Sequence, residues 1–396
     1  MNIVPSNRLQ AMGGYAFAEV DKKVAELKAR GITPTDFGVG DPTVPTPALV
    51  RAACKKGVDA RARSGYPSYI GAAGFREACA AWMKRRFGVK LDPAAEITST
   101  IGSKEAVFNF AEAFVNPGDM VIIPTPGYPP YARGTQFAEG VPYFTPILAG
   151  NGYLPDLDAI PAGVRKRTKL MWINYPNSPT GRIAPPAFFK KAIAFCRKHN
   201  IILASDEAYT EIWYKEKPHS ALEYGTEGVI AFYSLSKRSA MTGYRVGWVA
   251  GDRRVVDAFK KVKTNIDSGT PTFIQDAAVA ALADEKHVAA FNAEYREKRD
   301  ILVRALVYAG LDNCSPEATL YIWQKVPAGY TDVSFATRLV GEDIAVVTTP
   351  GSWITTPVRG KNPGAEYVRF ALVPSVADTR AAASRILKNL GKELAK

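Results

Sequence analysis

The segment from Ser234 to Arg245 combines the amine of Lys237 with several small hydroxyls and, eight residues later, the permanent cation of Arg245. It lies between the apolar runs 229–233 and 246–250, which predicts that Lys237 sits in a turn between two buried strands. Burial and a neighbouring guanidinium disfavour the ammonium form, and the neutral amine can form a Schiff base with an aldehyde. The hydroxyls and the arginine fork suit a phosphate. An ordinary lysine in a surface loop is the alternative.

Two further segments place polar groups at the end of a predicted strand. Asp206 comes just past the apolar run 201–204, after Ser205, and Tyr209 follows three residues later. A carboxylate in that place can keep a pyridine nitrogen protonated, although a helix cap would need the same residue type. Residues 100–105 open a helix whose first amides could face a phosphate, or could form an ordinary capped helix start.

Two rigid turns and one arginine complete the set of candidates. Tyr128 lies in the proline-rich segment 124–131, where it could pack flat against a planar ring. Segment 174–181 is a second defined turn after a strand. Arg369 alternates with apolar residues in a predicted strand and needs an anionic partner, either a substrate carboxylate or a structural ion pair.

Helical and strand patterns alternate along the first three quarters of the chain, which predicts an α/β fold with a parallel sheet wrapped by helices. Ligands bind such sheets at the carboxyl ends of the strands. A long charged helix and less regular strands then indicate a second, smaller α+β domain. The predicted helices are 75–87, 104–115, 186–199 and 291–309, and the predicted strands are 121–123, 170–173, 201–204, 320–323, 344–347 and 367–372.

The composition is that of an ordinary globular protein, with 396 residues, 47% hydrophobic and 22% charged. The formal charge of +13 comes from scattered residues, which indicates general surface basicity rather than a nucleic-acid site. The four cysteines have no metal-ligand spacing, so no metal site is predicted. No signal peptide and no apolar run of membrane-spanning length is recognised, and a cytoplasmic enzyme is expected.

The motifs, taken in their order along nearly the whole chain, resemble those of the class I and II aminotransferases, which are pyridoxal phosphate (PLP) enzymes of fold type I. The resemblance implies an N-terminal segment 1–45 that joins the small domain and covers the active site, a large PLP-binding domain 46–285 and a small C-terminal domain 286–396. It also implies ping-pong transfer of an amino group from an L-amino acid to a 2-oxo acid such as 2-oxoglutarate. A homodimer with the site at its interface follows, without nucleic-acid or membrane partners.

The resemblance assigns roles residue by residue. Lys237 is similar to the lysine that links covalently to PLP, and Asp206 to the partner of the pyridine nitrogen. Tyr209 resembles the residue that binds the ring 3-hydroxyl, and Tyr128 the ring that stacks on the cofactor. The positions that resemble phosphate ligands are Ser103, the amide of Lys104, Ser234, Ser236, Arg245, and Tyr66 reaching the neighbouring subunit's phosphate; those that resemble binders of the substrate α-carboxylate are Gly40 and Arg369.

One motif departs from the family pattern. The family usually has asparagine directly before Pro-Thr-Gly, whereas this chain has Ser178 there and Asn177 one residue earlier. We predict that Asn177 makes the contact with cofactor and substrate, with the Ser178 hydroxyl as the alternative.

Segments 13–20 and 40–45, together with Lys104, are similar to those of LL-diaminopimelate aminotransferases, which implies substrate contacts from Tyr15 and Lys104. Ser268 stands where that subfamily has asparagine. The lysine segment is more similar to succinyl-diaminopimelate and broader aminotransferases, so aspartate, alanine and aromatic substrates stay open. A PLP-dependent lyase or synthase on the same fold is the further alternative.

Overall fold

The computed structural model describes residue 1, residues 3–10 and residues 18–394 of the chain. Its α-helices are α1 Asn7–Gln10, α2 Ala18–Ala29, α3 Ala48–Ala60, α4 Ala73–Phe87, α5 Gly102–Asn109, α6 Pro129–Phe137, α7 Ala162–Arg167, α8 Pro186–Lys198, α9 Leu235–Arg238, α10 Arg253–Ile266, α11 Thr272–Ala283, α12 Lys286–Tyr308, α13 Asp332–Leu339 and α14 Val376–Leu394. Its strands are β1 Thr35–Asp36, β2 Ile97–Thr100, β3 Met120–Thr125, β4 Val141–Pro146, β5 Thr168–Asn174, β6 Ile202–Asp206, β7 Val229–Ser234, β8 Gly247–Gly251, β9 Tyr321–Lys325, β10 Val346–Val347, β11 Thr349–Pro350 and β12 Tyr367–Ala371.

A seven-stranded sheet in the order β2-β8-β7-β6-β5-β3-β4 carries the middle of the chain. All residues of β7 are buried, and its side chains alternate between two apolar clusters. Ala231 and Tyr233 pack on the side of α4, α8 and α11, whereas Ile230 and Phe232 pack on the side of α5, α6 and α10. Both faces are therefore covered, which explains why these strands read as continuous apolar runs.

The strand β8 runs antiparallel to both of its neighbours, whereas the remaining neighbouring pairs of this sheet are parallel. Its first residue, Gly247, pairs with the last residues of β7 and β2, Ser234 and Thr100. The start of β8 therefore lies at the same sheet edge as the carboxyl ends of β2, β6 and β7. The segments that leave β2, β6 and β7 and the segment that enters β8 therefore lie side by side.

A second, smaller sheet, β11-β12-β9, packs with α12, α13 and α14 around its own apolar cluster. The segment before α3 joins this unit, because β1 pairs in parallel with β10 and Phe37 is buried in the same cluster. Residues 38–41 then lead from this cluster towards the edge of the large sheet. The domain boundaries at 45 and 285 stay predictions.

The α/β architecture with a mainly parallel sheet is confirmed. Several predicted bounds were wrong. The helix predicted over 104–115 ends at Asn109 and continues as a 3₁₀ turn, Phe110–Ala113. The helix α12 begins at Lys286 rather than at 291, and the strand predicted over 344–347 is limited to Val346–Val347. Lys237 lies between the buried strands β7 and β8, in the one-turn helix α9, which the Ser234 hydroxyl caps by accepting the Ser236 amide at 3.1 Å. Within the described residues, no helix combines the length and apolarity needed to cross a membrane.

Candidate active site

A cavity of about 320 Å³ lies where these segments converge, and both apolar units contribute to its wall. Eleven of the predicted site residues line it: Gly40, Ser103, Lys104, Tyr128, Asp206, Tyr209, Ser234, Ser236, Lys237, Arg245 and Arg369. A larger groove of about 1030 Å³ between β4 and residues 358–367 contains none of them. Residues that are distant in sequence therefore meet in the smaller cavity.

The Lys237 amine is held by the N-terminal segment. Its Nζ donates a hydrogen bond of 2.6 Å to the Gly40 carbonyl oxygen. Burial lowers the pKa of Lys237, opposed by the negative charge of Asp41 and assisted by the cations of Arg245 and Arg369. A depressed pKa raises the share of neutral amine near neutral pH, which is the form that attacks a carbonyl carbon.

Asp206, at the end of β6, is 5% exposed. The Tyr131 hydroxyl donates to its Oδ2 at 2.6 Å, and the Ala208 amide donates to Oδ1 at 3.2 Å. Burial raises the pKa of Asp206, while these two hydrogen bonds hold it down. Among the described side chains no cation pairs with this carboxylate, so a cationic group in the cavity would be its natural partner.

The opposite wall is a cradle of hydroxyls around one guanidinium. Gly102 opens α5 with φ +69°, and a Cβ built there would lie 2.4 Å from Arg245 Nη2. Only glycine therefore lets the guanidinium pack against the helix start. Arg245 is itself left-handed, at φ 53°, and its Nη1 donates to the Thr242 carbonyl at 2.8 Å. The Ser103, Ser234 and Ser236 hydroxyls complete a donor set that suits a phosphate.

Arg369 enters from β12 of the smaller sheet. Its Nη2 donates to the Gly38 carbonyl at 2.7 Å and to the Thr349 hydroxyl at 3.3 Å. Its guanidinium carbon lies 4.7 Å from the centre of the Tyr321 ring. The buried Nε has no hydrogen-bond partner within the described part of the chain, and no carboxylate there pairs with the guanidinium. An anion in the cavity could satisfy both.

The aromatic walls are largely desolvated. Burial raises the pKa of Tyr128 to about 12, so its phenol stays neutral at physiological pH. The Tyr209 hydroxyl lies 2.9 Å from the Tyr321 hydroxyl. Gly40 is required opposite Tyr321, because a Cβ there would come 2.0 Å from the tyrosine oxygen.

The prediction for Asn177 was wrong. Its side chain is fully buried and folds back into its own turn: Nδ2 donates to the Asn174 carbonyl at 3.2 Å, and Oδ1 accepts from the Thr180 amide at 3.2 Å and hydroxyl at 2.7 Å. These bonds hold the side chain inside the Pro-Thr-Gly turn, and Asn177 is not among the residues that line the cavity. Ser178, the alternative, lines the cavity, as does Asn174.

Of the remaining predicted residues, Tyr66 does not line the cavity of its own chain. Tyr66 is 88% exposed on the surface, so any contact with a site would involve another molecule. Tyr15 lies outside the described residues.

Sequence reasoning missed Tyr131 and Tyr321. Tyr131 lies in the first turn of α6, three residues after the N-cap residue Tyr128, and this short spacing was the available signal. Tyr321 begins β9 on a strand with no distinguishing pattern, so no local signal marked it.

A family model described as aminotransferase class I and II matches residues 32–386. The chain is 45% identical over 386 residues to an LL-diaminopimelate aminotransferase of Nitratidesulfovibrio vulgaris (strain DSM 19637 / Miyazaki F), covering 96% of this chain and 98% of the relative. It is 44% identical over 391 residues to the LL-diaminopimelate aminotransferase of Aquifex aeolicus, covering 97% and 98%.

Two solved structures share the whole architecture. A single mutant of Thermus thermophilus aspartate aminotransferase superposes with a TM-score of 0.88 at 28% identity, covering 98% of this chain and 100% of that chain. An aminotransferase from Neisseria meningitidis superposes with a TM-score of 0.89 at 32% identity, covering 96% and 99%.

Proposed function

This chain belongs to the class I and II aminotransferases, and we propose that it transfers an amino group between LL-diaminopimelate and 2-oxoglutarate with PLP bound in the cavity around Lys237. One observation carries the cofactor part of this proposal: a desolvated amine, a buried carboxylate and a phosphate cradle surround a single cavity. The substrate part rests on the relatives, which are named LL-diaminopimelate aminotransferase and match this chain over nearly their full length.

The donor set fits the cofactor. The unpaired Asp206 carboxylate suits a protonated ring nitrogen, and the space that a Cβ at Gly102 would fill is kept for the Arg245 guanidinium of the cradle. When bound, PLP supplies an aldehyde that condenses with amines and a protonated ring that withdraws electrons. The residues proposed to hold it are Asp206 at the ring nitrogen, Tyr209 and Ser178 at the 3-hydroxyl, Tyr128 on the ring face, and Ser103, the Lys104 amide, Ser234, Ser236 and Arg245 at the phosphate.

The protein's own groups then do three things. The Lys237 Nζ, once free, accepts and returns a proton at the substrate α-carbon, for which its lowered pKa suits it. The Arg369 guanidinium binds the α-carboxylate of either substrate and fixes its orientation. Burial of the surrounding walls restricts access of water to the reacting atoms.

LL-diaminopimelate has a second carboxylate at its far end, and Lys104 lines the same cavity as Arg369. We therefore propose that the Lys104 ammonium pairs with that distal carboxylate while its backbone amide faces the phosphate. Tyr15 stays a predicted substrate contact, and a cytoplasmic location stays a prediction.

The test is an absorbance titration of the purified PLP-loaded protein with LL-diaminopimelate, N-succinyl-LL-diaminopimelate, L-aspartate and L-alanine. We expect the lysine-linked band to disappear most efficiently with LL-diaminopimelate as the donor. Addition of 2-oxoglutarate should then yield glutamate. Lys237→Ala should lack the lysine-linked band. Faster conversion by another donor would reassign the substrate, and loss of amino acid without glutamate formation would favour a lyase.

We further propose a homodimer in which Tyr66 reaches the phosphate of the neighbouring subunit, because that side chain is 88% exposed in the single chain. Mixing Tyr66→Phe with Lys237→Ala tests this, since a mixed dimer contains one site with both native residues. Activity should rise above that of either variant alone after subunit exchange. No gain, with exchange verified by mass, would contradict the shared site.

A further inference from the structure

Lys263 is a fully buried cation that none of the roles above uses. Its side chain is 0% exposed on α10, and Nζ lies 2.8 and 2.7 Å from the two Asp267 carboxylate oxygens and 3.4 Å from Glu105 Oε2. A buried ammonium is strongly unfavourable unless it is paired, and breaking such a pair leaves an uncompensated charge. The cation therefore ties Glu105, on α5, and Asp267, the C-cap residue of α10, to the same point.

The first of these carboxylates controls the start of α5. Glu105 Oε2 accepts the Ile101 amide at 3.1 Å, and Oε1 accepts from Asn109 Nδ2 at 3.3 Å. Ile101 directly precedes Gly102, Ser103 and Lys104, which form one wall of the phosphate cradle. Burial raises the pKa of Glu105 and the Lys263 charge lowers it, so the lysine favours the ionised, bond-accepting carboxylate.

The second carboxylate controls the loop behind Arg245. Asp267 Oδ1 accepts the Gly269 amide at 2.7 Å, which fixes the loop leading into Thr270. The buried Thr270 hydroxyl lies 3.1 Å from the Thr100 carbonyl and 3.3 Å from the Arg245 carbonyl, and can donate to either. This arm thus contacts the end of β2 and the backbone of the cradle's arginine.

We propose that Lys263 is a positioning residue for the cofactor phosphate, because its two ion pairs hold both walls of the cradle from behind. The inference rests on the proposed binding of PLP in this cavity. Lys263 does not touch the cavity itself. Its removal acts through the Ile101 and Gly269 amides, because the carboxylates that accept from them would lose the buried cation that pairs with them.

The test compares two ligands that differ only in the phosphate. Apparent dissociation constants of PLP and of pyridoxal are measured by absorbance with cofactor-free protein. Lys263→Met should raise the dissociation constant of PLP by about tenfold or more and that of pyridoxal by less than about twofold. Lys298→Met is the matched control, since Lys298 is also buried at 1% exposure and paired with Glu294, but lies in α12 away from the cavity.

Glu105→Ala removes the same ion pair from the α5 side. It should also weaken the binding of PLP more than that of pyridoxal, and it replaces Lys263→Met if that variant does not fold. Equal weakening of both ligands, or none, in these variants would overturn the positioning role. If wild-type protein forms no lysine-linked band with PLP, the proposed function itself fails, which is a separate result.

Discussion

Replacing Arg369 by lysine keeps the positive charge but removes the planar fork. In the structure Nη2 is already occupied by the Gly38 carbonyl at 2.7 Å, and the buried Nε has no partner in the described part of the chain. A substrate carboxylate would therefore accept from the remaining donors of the fork. A lysine ammonium also has to replace the bond to Gly38, and it leaves the carboxylate with one charge-assisted hydrogen bond fewer.

One hydrogen bond to a charged group contributes about 1.5 to 3 kcal/mol, which corresponds to a fall in kcat/KM of about 10- to 150-fold. The loss of the contact between the guanidinium and the Tyr321 ring, 4.7 Å apart, places the expectation in the upper half of that range. Both substrates carry an α-carboxylate next to the reacting carbon. The fall should therefore appear for the amino-acid donor and for 2-oxoglutarate alike.

The assay is steady-state kinetics with each substrate varied in turn, together with the PLP dissociation constant measured by absorbance. Arg338→Lys is the control for the chemical change, because Arg338, on α13, pairs with Asp343 and Glu393 and does not line the cavity. A fall of less than about threefold for both substrates would refute the carboxylate role of Arg369. A parallel loss of PLP affinity would show that the arginine acts on the site as a whole.

Three further predictions concern the cofactor-free protein and its loading. Tyr131→Phe removes a hydrogen bond to the Asp206 carboxylate and should raise the pKa of Asp206 further above its unfolded value. The free energy of unfolding, measured with denaturant, should fall by about 1.5 to 3 kcal/mol at neutral pH and by less in acid, where the carboxyl is protonated. A fall that does not depend on pH would contradict this. Gly102→Ala, strained at φ +69° and blocked by the Arg245 guanidinium, should weaken PLP by about tenfold or more in an absorbance titration while pyridoxal binds as before, and unchanged PLP affinity would refute the cradle. Because burial lowers the pKa of Lys237, covalent loading with PLP should level off at a lower pH than the reaction of PLP with a free lysine side chain in a peptide, and coinciding pH profiles would exclude a depressed pKa.

The sequence was sufficient for residues that sit at strand ends. Asp206 and the Lys237 segment each follow a run of apolar residues, and the carboxyl ends of parallel strands share one edge. Their proximity therefore follows from the alternation of helices and strands, before any distance is known. The family resemblance added the roles, which the pattern alone left open.

The sequence was insufficient where a turn decides which side chain faces inward. Asn177 and Ser178 are neighbours in one turn, and only the folded geometry shows that the asparagine bonds to Thr180 while the serine faces the cavity. Tyr321 was missed for a different reason. It arrives from the smaller sheet, so its position opposite Gly40 depends on how two distant parts of the chain pack.

The strand β8 is antiparallel to β7 and begins at the sheet edge where β7 ends. Lys237 and Arg245 therefore belong to one short connection between these strands. Arg369 and Tyr321 instead belong to the smaller sheet. Binding of the cofactor phosphate and binding of the substrate carboxylate would then depend on different parts of the molecule. A substrate can therefore leave Arg369 without displacing the phosphate cradle, because the two groups of residues are held by different sheets.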